Sequence, residues 1–155
     1  MKTQTVISEI THDDLVNLFS TSLYGSNYLG AGYNYVPDLD AYDVFEDSLA
    51  ATLLKGRHIR VTDYYAEGSS YGKLPREIDD EDGCVTYTVT LEDIKNALSR
   101  AADGTFNTRS EKFADGERRF ARKAFDSFLA EADDFDLTYA DCLMQIILFD
   151  EIIYG

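Results

Sequence analysis

Tryptophan is absent, and cysteine, histidine, methionine and proline occur only twice each along 155 residues. Each scarcity excludes something. Cys84 and Cys142 lie far apart, as do His12 and His58, and none has a neighbour at the short spacing that zinc ligands adopt, so no metal site is expected. A Ser–His or Cys–His nucleophile has little to draw on. His12 reads as a first-turn helix residue and His58 as the polar start of a strand. With only Pro37 and Pro75, long proline-rich linkers are excluded. Long apolar runs are missing too. The longest, Ile146 to Phe149, stops at Asp150, far short of the ~20 residues a membrane helix needs. Met1-Lys2 is followed by polar residues, which predicts no signal peptide, and two thiols expected to be reduced point to a cytoplasmic protein.

The chain is also poor in positive charge. Fourteen Lys and Arg face 29 Asp and Glu, a formal net charge of -15. The imbalance is segmental: net -10 from Met1 to Thr108, +3 from Arg109 to Lys123 and -8 from Ala124 to Gly155. Phosphates of nucleic acid and of anionic membranes carry the same sign as the chain, so direct binding to either is disfavoured. A protein with a basic surface is the favoured partner, and the groove of a nucleic-acid-binding protein is one such surface. Arg118, Arg119, Arg122 and Lys123 form a basic helical face, with Arg109 and Lys112 nearby. With acids on both flanks, the cluster is expected to pair with acidic helices within the chain or between subunits.

What is present suffices for a folded domain. The chain is 45% hydrophobic with 11 Tyr and 9 Phe, too apolar and aromatic for a disordered acidic tail. Thr11-His12-Asp13-Asp14 predicts a helix start, followed by Leu15, Leu18, Phe19 and Ser22 on one face. Tyr24 to Asn27 ends this helix, and a Gly- and Tyr-rich loop runs to Pro37. A second helix is expected from Asp40 to Lys55, with Gly56 as its left-handed end. Alternation predicts strands at His58–Tyr65, with Ile59, Val61 and Asp63 on one side, and at Cys84–Thr90. Thr90 then caps a helix that Gly104 stops. Asp115 is read as the cap of the following helix, and Thr138 to Asp141 as the capping sequence of a last one, Tyr139 to Ile153. That last helix is apolar on most of its surface, which places it centrally in the core or in an oligomer interface. The expectation is a single α+β domain over residues 1–155: about five helices on a small antiparallel two- to three-stranded sheet, with a long acidic hairpin connection at 66–83.

Motifs for chemistry are sparse. Gly30-Ala31-Gly32 lacks the third glycine of a dinucleotide fingerprint. Aligning Gly83 with the glycine of a calcium loop puts Ile78 at the first ligand position, so that match fails. With 29 acids some carboxylate pairs are guaranteed, which makes any one pair uninformative for glycoside chemistry. No catalytic residue, cofactor ligand or metal ligand is assigned. The candidate partner-binding residues are the four acids Asp79, Asp80, Glu81 and Asp82, expected on a mobile loop, together with Tyr28 and Tyr71. Tyrosine beside Gly, Ser and Asn supplies rigid amphipathic contact area.

Two stretches carry a resemblance. Ile10-Thr11-His12-Asp13-Asp14-Leu15 through Ser22-Leu23-Tyr24-Gly25-Ser26-Asn27-Tyr28, with Leu29 where the motif has Trp, resembles the "ALxGGxxYW" helix end of small uncharacterised proteins of phages, plasmids and conjugative elements. Thr138-Tyr139-Ala140-Asp141 through Phe149-Asp150-Glu151-Ile152-Ile153-Tyr154-Gly155 is similar to their "ADxxLQxxLFGEIVYG" ending, with Asp150 in place of Gly. Leu54 to Ile59 and Val89 to Ile94 fit the helix–strand and strand–helix joints of the same proteins. The resemblance brings no activity. It implies a mobile-element context, in which small acidic cofactor-free proteins act on host defence. The expected function is thus a non-enzymatic acidic binding protein that occupies the basic site of a host nucleic-acid-binding defence protein by mimicking DNA. The alternatives are an assembly module that forms a homo-oligomer through the apolar C-terminal helix, and an unrecognised hydrolase.

Overall fold

The structure is a computed structural model and describes residues 9–24, 29–33, 45–65, 72–130 and 134–154. Within them lie five helices and one four-stranded antiparallel sheet, an α+β arrangement. In chain order these are α1 (His12–Tyr24), β1 (Leu29–Tyr33), α2 (Phe45–Leu54), β2 (Ile59–Asp63), β3 (Arg76–Ile78), β4 (Val85–Val89), α3 (Leu91–Asp103), α4 (Glu111–Leu129) and α5 (Leu137–Phe149).

Local chemistry sets several of these boundaries. At the start of α1, the Asp14 amide donates to the Thr11 hydroxyl (3.2 Å) while the Thr11 amide donates to the Asp14 carboxylate (3.0 Å). Thr90 and Asp93 repeat this reciprocal cap at α3, at 3.2 and 2.9 Å. Each pair satisfies amide donors that a helix start otherwise leaves open. Gly104 closes α3 at φ 72, a left-handed conformation that a side chain would strain.

The sheet order is β1-β2-β4-β3. Register places Ile59 beside Val89, Val61 beside Tyr87 and Asp63 beside Val85, so these six side chains share the buried face. The outer face carries Thr62 hydrogen-bonded to Thr86 (2.9 Å) and Arg60 paired diagonally with Glu77 (2.7 Å). Helix α5 lies at the centre of the helical layer and packs against α1, α3 and α4. Ala140 and every residue from Cys142 to Phe149 are buried within the one chain. The apolar girth of α5 is therefore used inside the domain, Ile146 and Ile147 included.

Four expectations change. Leu29–Tyr33, expected as loop, pairs along β2 as the sheet's fourth strand; an edge strand takes its hydrogen bonds from the neighbour's backbone and needs no β-branched alternation. The connection at 66–83 contains β3, so the hairpin proper is the short turn from Asp79 to Cys84. Helix α4 begins at Glu111 after Ser110, a turn before Asp115, which lies exposed within the helix and faces Arg118 at 3.6 Å. Helix α5 is capped by Asp136, whose carboxylate accepts from the Tyr139 amide (3.2 Å), and it ends at Phe149 rather than Ile153. There Asp150 turns left-handed at φ 54. Its carboxylate accepts from Arg100 (2.8 Å) and Asn107 (2.9 Å), so tertiary tethers end a helix that apolar periodicity alone would continue.

Candidate functional site

The four predicted acids stand at the tip of the β3–β4 hairpin, all exposed. The tip is a built turn rather than a loose loop. The Asp79 carboxylate accepts from the amides of Glu81 (2.8 Å) and Asp82 (3.1 Å), and the Asp82 carboxylate accepts from the Cys84 amide (2.9 Å). The Gly83 amide returns to the Asp79 carbonyl at 2.9 Å, with Gly83 at φ 73. The amides of Glu81 and Asp82 hold the Asp79 carboxyl below its usual range, so it stays charged against its three acidic neighbours. Exposed apolar side chains lie near the tip: Ile78 of β3 at 67%, and Tyr64 at 56% and Tyr65 at 51% just after β2, where the Tyr64 carbonyl accepts from the Cys84 thiol. Tyr28 and Tyr71 lie outside the described residues.

The bases on and just before helix α4 are largely exposed, and several are partnered within the chain. Arg118 donates to the Gly104 carbonyl (3.2 Å) and Arg122 to the Ala102 carbonyl (3.3 Å), the open acceptors at the negative end of α3. Arg122 also pairs with Asp126 at 3.0 Å. Arg109 folds onto Glu117, which takes the Arg109 amide (3.0 Å) and guanidinium (3.2 Å) on its two oxygens. Arg119 and Lys123 are exposed and make no ion pair among the described residues.

A second feature has no counterpart in the sequence reading. A cavity of about 410 Å³ opens between α4, α5 and the segment after α5, within the range of small-molecule pockets. Phe113, Phe120 and Ile152 supply apolar wall, and Arg109, Glu117, Asp141, Gln145 and Tyr154 the polar groups. Glu117 is only 7% exposed. Gln145 ties the segment down: its carbonyl accepts from the amides of Ile153 (2.6 Å) and Tyr154 (2.8 Å), and its amide donates to the Asp141 carboxylate (2.7 Å) and the Tyr154 carbonyl (2.9 Å). Tyr154 then reaches the sheet and donates its hydroxyl to the fully buried Asp63, with carboxylate oxygens at 2.8 and 3.0 Å. Cys142 also lines the cavity. Burial first, and then the Asp141 and Glu117 charges, push its thiol up to about 12, so it is a neutral wall rather than a nucleophile.

Gly116 is the odd member of this lining. It sits inside α4, its φ is not left-handed, and a Cβ built on it would meet nothing within 4 Å. Glycine in a helix interior costs about 1 kcal/mol relative to alanine. Neither turn geometry nor close packing requires it here; its one structural consequence is an open stretch of cavity wall.

Two signals in the sequence pointed this way. Asp63 shares the inward side of its strand with Ile59 and Val61, and Glu117 falls at helical spacing between Ala114 and Ala121 on the apolar stripe. An acid on an apolar face needs a partner, which the sequence cannot name and the fold supplies. Among the described residues no group of three His, Cys, Asp or Glu could hold a metal ion, and no helix is long and apolar enough to cross a membrane. No family model, curated protein or solved structure matches this chain.

Proposed function

We propose that this chain is a non-enzymatic binding protein that docks the β3–β4 hairpin tip onto a basic protein surface, of the kind that elsewhere holds nucleic acid. One observation carries the reading: four consecutive exposed acids sit on a turn held by backbone amides that donate to the Asp79 and Asp82 carboxylates, near the exposed Ile78, Tyr64 and Tyr65. Charge draws a basic partner in, and an apolar rim gives it something to keep. A rigid turn adds to this, because little conformational entropy is lost when it is held.

The test is kinetic. Partners captured at low salt are immobilised, and the wild type is compared with Asp79→Asn/Asp80→Asn/Glu81→Gln/Asp82→Asn. The four-acid variant and added salt should both slow association by about tenfold, since steering between exposed charges is screened beyond ~8 Å at physiological ionic strength. Ile78→Ser and Tyr64→Ala should instead speed dissociation. Duplex DNA should compete for the partner and show no binding to the chain itself. Association rates indifferent to both salt and the four substitutions would overturn the reading.

A further inference from the structure

We propose that the cavity between α4 and α5, with the basic stripe beside it, receives the β3–β4 hairpin tip of a second copy of this chain. The inference rests on the reading of the tip as a docking element and names one basic surface that the tip fits. That surface has an apolar part and a charged part. Phe113, Gly116 and Phe120 line the cavity from α4, and Phe113 is half exposed. Lys112, Arg119 and Lys123 share this side of the helix. At 3.6 residues per turn they fall to one side of Gly116, and Phe113 and Phe120 fall to the other. Lys112 holds its ammonium 5.5 Å from the centre of the Phe113 ring, which joins the two parts at one edge. All three bases are exposed and make no ion pair among the described residues.

The tip carries the complement. Among the described residues Ile78 is the most exposed large apolar side chain, at 67%, and Asp79, Asp80, Glu81 and Asp82 follow it directly. An apolar anchor beside a run of acids thus matches an apolar opening beside a run of bases. Ile78 takes no charge into the cavity, and the acids meet the stripe outside it. The two surfaces do not satisfy each other within one copy, since Ile78 and the three bases are all exposed. Gly116 supports the match from a separate direction. A Cβ on it would meet nothing within 4 Å, so the opening lies clear between the bases and the aromatic rings. Net charge opposes the contact at long range, because each copy carries -15. Screening over ~8 Å at physiological ionic strength removes most of that repulsion and acts less on charges in contact. Association is therefore weak and grows with concentration.

Sedimentation velocity at physiological salt, from micromolar to millimolar protein, tests this. The wild type should associate as its concentration rises. Lys112→Glu/Arg119→Glu/Lys123→Glu should weaken association about tenfold or more through charge. Gly116→Leu should do so through shape, by filling the opening. Asp79→Asn/Asp80→Asn/Glu81→Gln/Asp82→Asn should do so from the other side of the contact. The decisive sample is a mixture. The triple α4 variant keeps its tip and the four-acid variant keeps its stripe, so the two should associate with each other more tightly than either does with itself. Net charge alone gives the opposite order, because the four-acid variant repels itself least. A wild type that stays monomeric to millimolar concentration, or a mixture that associates no better than the four-acid variant alone, would overturn the proposal. The docking role of the tip is decided separately: slower association of the four-acid variant with an immobilised partner upholds it even where self-association fails.

Discussion

Two hydroxyls, one partly and one fully buried, make the residue-scale energetics concrete, with opposite signs. The Tyr154 hydroxyl donates to both oxygens of the buried Asp63 carboxylate. Hydrogen bonds to charged groups are worth ~1.5–3 kcal/mol, and Tyr154→Phe should lose about that much in urea unfolding. The Ser22 hydroxyl on α1 is fully buried and has no hydrogen-bond partner among the described residues. An unmet hydroxyl costs ~1–3 kcal/mol, so Ser22→Ala should stabilise, by about 1 kcal/mol. Equal midpoints for the two variants would mean that neither environment is as described. Cys142 adds a pH dependence. Its folded pKa of about 12 lies above the ordinary thiol value of 9.0. The unfolded chain therefore ionises first: the contribution is whole below pH 9 and is lost as pH rises toward 12, with a slope of up to ~1.4 kcal/mol per pH unit. Burial raises the Tyr87 phenol as well, in the same sense. Urea midpoints taken from pH 8 to 11 should fall less steeply for Cys142→Ala than for the wild type, and parallel curves would remove Cys142 as the cause.

Elements differ in how far their ends are written locally. Thr90 makes a full reciprocal cap on α3, whereas Ser110 at α4 makes no side-chain cap bond. Thr90→Ala should cost ~1 kcal/mol and Ser110→Ala only a few tenths, a contrast that denaturant titration resolves. The same difference explains what was legible in the sequence. The α3 boundaries followed from Thr90, Asp93 and Gly104, all within a few residues of the ends they set. The end of α5 did not, because Arg100 and Asn107 fix Asp150 from 50 and 43 positions away. β1 was missed for a related reason: Gly30 and Gly32 read as loop, and only pairing with β2 makes them strand. Of the candidate site, the acidic tip was visible as a run of Asp and Glu, yet its turn geometry was not. The cavity needed three separated segments, 109–120, 138–145 and 152–154, which no local pattern brings together.

At the scale of the whole molecule, charge and core pull against each other. A net charge of -15 on one domain is self-repelling. Screening shortens from ~30 Å at 0.01 M salt to ~8 Å at physiological strength, so adding NaCl over that range should raise the thermal midpoint, where an equal osmolality of sucrose controls for exclusion effects. A midpoint unmoved by salt would mean the carboxylates are already balanced by their helix ends and cations. The core resists this repulsion through α5, which is central although it comes late in the chain, and through the contact from Tyr154 back to Asp63, a span of 91 positions. That ordering has a consequence for synthesis. A growing chain that has made α1 and the whole sheet still lacks the helix they pack around and the hydroxyl that quiets a buried carboxylate. Its earlier elements present partly open apolar surface until the residues from 137 onward are made, and a product cut short before residue 137 is expected to lack the helix that completes the core.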